Sequence, residues 1–80
     1  VDRQQVFETI RSLAAESFDL DAARITEDAN FDTDLGASSV ERSDLAFSIE
    51  DELDVELPDE EWDLVVTAGQ ATDLVLSKLA

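Results

Sequence analysis

Two short patterns constrain this chain more than anything else in it. Ser38-x-x-Glu41 and Thr67-x-x-Gln70 each set a hydroxyl three residues before a Glu or Gln. In such a capping box the hydroxyl accepts one orphan backbone N–H of a helix, and the acid or amide reaches back for another. Apolar residues at helical spacing follow both boxes. Leu45, Ala46, Ile49 and Leu53 fall on one stripe, and Ala71, Leu74, Val75 and Leu79 follow the second box. Helices are therefore expected from about Ser39 to Leu53 and from just after Thr67 to the end of the chain.

Two more helices fit around these. Val6, Phe7, Ile10, Leu13 and Ala14 recur at helical spacing, with Asp2 as cap, which predicts a helix from Arg3 to Ser17. Arg3, Gln4, Glu8 and Arg11 make its solvated face. Pro58 fits the first turn of a short helix running from Asp59 to about Val65, with Trp62 and Val65 inward and acids in the first turn. Between the first two helices, Phe18 to Ala37 has no sustained period and is rich in Asp and Asn, which form turns. A loop this long must be packed or functional. Phe18, Leu20, Ile25, Phe31 and Leu35 are spaced to pin it. The expectation is an all-α four-helix bundle with three main helices, one short third helix and a long crossover, residues 1–80 making one domain. Its core is expected from Ile10, Leu13, Phe31, Leu45, Ala46, Ile49, Leu53, Trp62, Leu74 and Val75.

Charge narrows the function. Asp+Glu number 21 against 5 Lys+Arg, a formal net charge of -16. Nucleic-acid phosphates and anionic membranes are excluded as partners; basic protein surfaces are favoured. Self-repulsion predicts a fold that gains stability with added salt. With no Cys and no His, disulfides, thiolate or histidine metal sites and Ser-His-Asp chemistry are absent from the chain. Asp32-x-Asp34 begins like a calcium loop, but Gly36 stands at the fifth position and the closing Glu is missing, so no metal site is expected. No apolar run reaches membrane-spanning length and no signal-peptide pattern opens the sequence, so the expected location is cytoplasmic.

The stretch Asp34-Leu35-Gly36-Ala37-Ser38-Ser39-Val40-Glu41 then draws the eye. Gly36 supplies a turn, Ser38 fits as cap, and Ser39 opens the helix. A first-turn serine serves equally well as a cap or a solvated hydroxyl. Ser39 has no base in this chain to activate it, so any modification must come from another enzyme. From Ser43 to Ser77 there is no Lys or Arg, and residues 50–63 hold Glu50, Asp51, Glu52, Asp54, Glu56, Asp59, Glu60, Glu61 and Asp63.

The ordered set over the whole chain resembles the acyl carrier protein family. It comprises a helix, a long loop, an Asp-x-Gly-x-x-Ser turn, an acidic second helix, a Pro58-Asp59-Glu60-Glu61 short helix and a final helix. The resemblance implies a non-enzyme whose Ser39 carries a covalent 4′-phosphopantetheine arm from coenzyme A, added by a phosphopantetheinyl transferase. The arm would hold acyl intermediates as thioesters for fatty-acid or polyketide enzymes, such as a ketosynthase or acyltransferase with a basic docking surface. Val40, Glu41, Asp44, Phe47, Asp51 and Glu52 would form the docking patch of a monomer, apolar at its centre and ringed by charge. Val40 and Phe47 could alternatively pack on the long loop. Two positions depart from the family pattern: Ser38 stands where Asp is usual, and Arg42 sets a cation against the dipole of the second helix, to pair with a neighbouring carboxylate or alter partner choice. A peptidyl or aminoacyl carrier, and an unmodified acidic interaction module of DNA-mimic type, remain the alternatives.

Overall fold

The computed structural model describes residues 2–79. Four α-helices form among them: α1 (Arg3–Phe18), α2 (Ser39–Leu53), α3 (Asp59–Trp62) and α4 (Ala68–Leu79). α1 packs on both α2 and α4. Its inward stripe is Val6, Ile10, Ala14 and Phe18, each four residues on from the last, which keeps them on one face. The Asp2 carboxylate accepts the Gln5 N–H at 3.0 Å, as expected of the cap. The helix runs one residue past the expected Ser17, because Asp19 adopts the left-handed conformation (φ 55°) and its N–H closes onto Ala15 and Glu16.

The crossover is pinned as expected: Phe18, Ile25, Phe31 and Leu35 are buried and Leu20 is half-buried. It also contains a 3₁₀ turn, Ala22–Arg24, capped by the Asp21 carboxylate at 2.9 Å from the Ala23 N–H. Its second half lies along the start of α4. Asn30 bridges Thr67, the Phe31 N–H donates to Val66 O at 2.8 Å, and the Gly69 N–H donates to Glu27 O at 3.0 Å. A β-carbon at Gly69 would stand 3.0 Å from that same Glu27 oxygen, so glycine is what lets the two backbones meet.

Several expectations need correction. Arg3 stays at the surface but is not free there: it reaches Glu27 at 2.5 Å and Asp73 at 3.1 Å, tying α1 to the crossover and α4. Hydrogen bonds donated to Glu27 first and to Asp73 second hold its guanidinium pKa above the ordinary arginine value. Arg11 lies 5.5 Å from the Phe7 ring centroid. Leu13, Leu53 and Leu74 flank the core instead of filling it, each half-buried, while Val6, Ile25, Ala68, Ala71 and Thr72 lie within. Thr72 is tolerated there because its hydroxyl donates to Ala68 O at 2.9 Å. Helix α3 ends at Trp62, three residues short of Val65, and Pro58 is its cap residue, standing outside its first turn. The Leu64 and Val65 N–H groups there turn back to Glu61 O and Trp62 O in tighter, three-residue closures.

Candidate functional site

Both capping boxes form. Ser38 Oγ accepts the Glu41 N–H at 3.2 Å while Glu41 Oε1 accepts the Ser38 N–H at 2.9 Å. Thr67 and Gln70 repeat the exchange at 3.1 and 3.3 Å. The first box separates the two adjacent serines. The Ser38 hydroxyl is committed to the helix end. Ser39 is the first residue of α2, exposed, and no hydrogen bond engages its hydroxyl among the described residues. Just upstream, Gly36 turns with φ 65°, and a β-carbon added to it would meet nothing within 4 Å. The turn is closed from behind by Gly36 N–H to Asp32 O and Ala37 N–H to Phe31 O, at 3.0 and 2.8 Å. A rigid, open turn thus delivers a free hydroxyl to solvent, a fit for a bulky covalent substituent.

The residues expected to form the patch lie beyond it, along α2. Val40 and Phe47 are 68% and 66% exposed, which rules out their packing on the long loop. Asp44, Asp51 and Glu52 are exposed around them; Glu41 is half-buried, its carboxylate engaged in the capping box. Asp34, of the calcium-like pattern, is exposed and accepts the Asn30 N–H at 2.8 Å. Glu50 likewise holds the chain after α2, accepting the Leu57 N–H at 2.8 Å. An open cleft of about 310 Å³ runs between α2 and α3, with Ala46, Phe47, Leu57 and Trp62 in its wall and Ser43, Glu50 and Asp59 at polar positions.

Arg42 departs from the first expectation for it, since it pairs with no carboxylate among the described residues. Its guanidinium donates to the Val65 carbonyl and lies 5.9 Å from the Phe31 ring centroid, and its Nε is buried without a hydrogen-bond partner among the described residues. In return its own carbonyl accepts the Trp62 indole N–H at 3.1 Å. Attraction to the ring face and the carbonyl offsets the unfavourable position at the helix start. Sequence reasoning also passed over Leu64 and Val66, which stand 78% and 41% exposed. A signal existed: three consecutive apolar residues, Leu64 to Val66, cannot all turn inward from so short a segment.

Comparison with known proteins converges. A family model described as "Phosphopantetheine attachment site" matches residues 8–74. A curated relative, the acyl carrier protein of Guillardia theta, is 32% identical over 80 residues, spanning 100% of this chain and 99% of its own length. A solved structure of the acyl carrier protein from Enterococcus faecalis superposes with a TM-score of 0.79 at 28% identity, over 98% of this chain and 99% of that one. The all-α arrangement is shared.

Proposed function

The chain belongs to the acyl carrier protein family, with a phosphopantetheine attachment site, and from that premise we propose that Ser39 is the residue that takes the arm. Members of this family carry and do not catalyse. The observation behind the assignment is the contrast between neighbours. Ser38 spends its hydroxyl on the helix end, whereas Ser39 offers an unengaged one at an open turn. When bound, the arm's terminal thiol holds the acyl group as a thioester. The chain's own residues do the rest. Gly36 clears the approach, the Ser38–Glu41 box fixes the direction of the first turn, and the acidic surface draws in basic enzymes.

On this reading the protein receives its arm from a phosphopantetheinyl transferase and presents acyl intermediates to fatty-acid or polyketide enzymes such as a ketosynthase or acyltransferase. Val40 and Phe47 form the apolar centre of the docking patch, with Glu41, Asp44, Asp51 and Glu52 around it. Residues 1–80 make one carrier domain, cytoplasmic and monomeric, its net charge of -16 repelling a second copy. No helix among the described residues is long and apolar enough to cross a membrane.

Intact mass tests the site. After incubation with coenzyme A, Mg²⁺ and a broad-specificity transferase, one phosphopantetheine should be gained. Ser39→Ala should abolish the gain and Ser38→Ala should keep it. A gain that survives Ser39→Ala and disappears in Ser38→Ala moves the site to Ser38. No gain with several transferases leaves the acidic interaction module as the better reading.

A further inference from the structure

Four large apolar side chains stand exposed among the described residues: Val40, Phe47, Leu64 and Val66. Two lie on α2 and belong to the patch above. The other two follow α3 and have no part in it so far. They flank Val65, which is buried. The backbone at Val65 is tied to α2, since the Arg42 guanidinium donates to its carbonyl, and Trp62 ties back to Arg42 at 3.1 Å. Arg42 sits one turn on from Ser39 in α2. Val66 is held from the other side by the 2.8 Å bond that its carbonyl accepts from the Phe31 N–H. The segment is therefore fixed, and it is fixed beside the first turns of α2. Phe47 and Trp62 share the cleft that joins α2 to α3, and this segment begins two residues beyond Trp62.

Charge decides what would cover it. Arg42 is the one Lys or Arg between Arg24 and Lys78. Its cation is turned inward, onto a carbonyl and the Phe31 ring. What remains outside is acidic: Asp44 on α2, Asp59 and Glu60 on α3, and Asp63 beside Leu64, all exposed. A second copy of this chain would bring the same charge and be repelled. An apolar pocket rimmed with Lys and Arg complements it.

We infer that Leu64 and Val66 extend the docking face of Val40 and Phe47, with Arg42 as the positioning residue that latches them to α2, for a partner enzyme presenting an apolar pocket ringed by basic residues. The inference rests on the carrier reading in one respect, that it takes the partner from among the enzymes that load or use the arm. A preformed apolar edge needs little ordering on binding, so truncating it should register directly as lost affinity.

The test titrates the full-length ¹⁵N-labelled protein with a phosphopantetheinyl transferase in Mg²⁺ without coenzyme A, then measures loading kinetics with coenzyme A present. The amides of residues 64 and 66 should shift together with those of 40 and 47. Leu64→Ser should raise Kd and the loading KM about fivefold or more at unchanged kcat and unchanged thermal midpoint, with Val66→Thr acting in the same direction. Residues 64 and 66 unmoved, with both variants within about twofold of wild type in Kd and KM, would overturn the inference while leaving Ser39 loading intact. Shifts at 64 and 66 with no mass gain would do the opposite, keeping the face and sinking the carrier reading. Loss of binding across α2 and residues 64–66 alike sinks both.

Discussion

The side of the molecule built from α1, the crossover and α4 closes on itself, while the side built from α2 and α3 faces outward. The same residue types serve both. Arg3 spends its charge on Glu27 and Asp73, joining three segments at the surface; Arg42 spends its own inside, clearing cations from the outer face. Phe31 is wholly buried and Phe47 is two-thirds exposed. Ser38 is locked into a cap and Ser39 is free. Gly69 brings two backbones together, whereas Gly36 opens a turn to solvent. The difference shows that Phe47 and Ser39 are held back from the uses the fold makes of Phe31 and Ser38. A surface kept that way is available to other molecules.

Removing one residue from each side is the strongest test. Phe31→Ala should cost about 3–5 kcal/mol in urea unfolding. Phe47→Ala should change stability by no more than about 0.5 kcal/mol. Similar losses from the two would break the comparison, since Phe47 would then be doing core work. The serine pair comes next. Ser38→Ala should cost about 1 kcal/mol through the lost cap, with Ser39→Ala close to wild type. Equal effects would erase the division between them. The smallest effects concern charge. Arg3→Gln should lower the thermal midpoint slightly at low ionic strength, by an amount that shrinks as NaCl is added. Against that background the wild-type midpoint should rise with NaCl or MgCl₂, because 21 acidic residues face 5 basic ones. A midpoint that stays flat or falls with salt would count against self-repulsion as a force opposing the fold.

What the sequence made legible follows the range of the interactions. Helix α2 was read to both ends because its signals are local: a capping box at Ser38 and an apolar stripe closing at Leu53. The crossover anchors were legible as spaced apolar residues, since little else in an Asp-rich stretch could be buried. Its alignment along α4 was not, because the Asn30–Thr67 bridge and the Glu27–Gly69 bond join backbones with no side-chain pattern to announce them. The end of α3 was misjudged for a similar reason. Trp62 is fixed by an indole bond to Arg42, remote in sequence, and the chain tightens immediately after it. Arg42 was the largest miss within the site. A cation in an acidic chain reads as half of a surface pair, and only the fold brings the Val65 carbonyl and the Phe31 ring to it. Leu13 flanks the core while Thr72, unmarked in the sequence, lies within it, for a subtler cause: burial follows position on the helix face, and a hydroxyl satisfied by its own helix can be buried.

Trp62 carries one more consequence. The chain has a single tryptophan and no tyrosine, so its near-ultraviolet emission comes almost entirely from this one indole. That indole is 5% exposed, hydrogen-bonded to α2, tilted against Phe31 at 6.3 Å between ring centroids, and set in the wall of the α2–α3 cleft. Any event that lifts α3, breaks the Arg42 tie or fills the cleft changes the polarity and hydrogen bonding of the fluorophore. The protein therefore holds a native optical sensor at the junction of its closed and open sides, readable without a label.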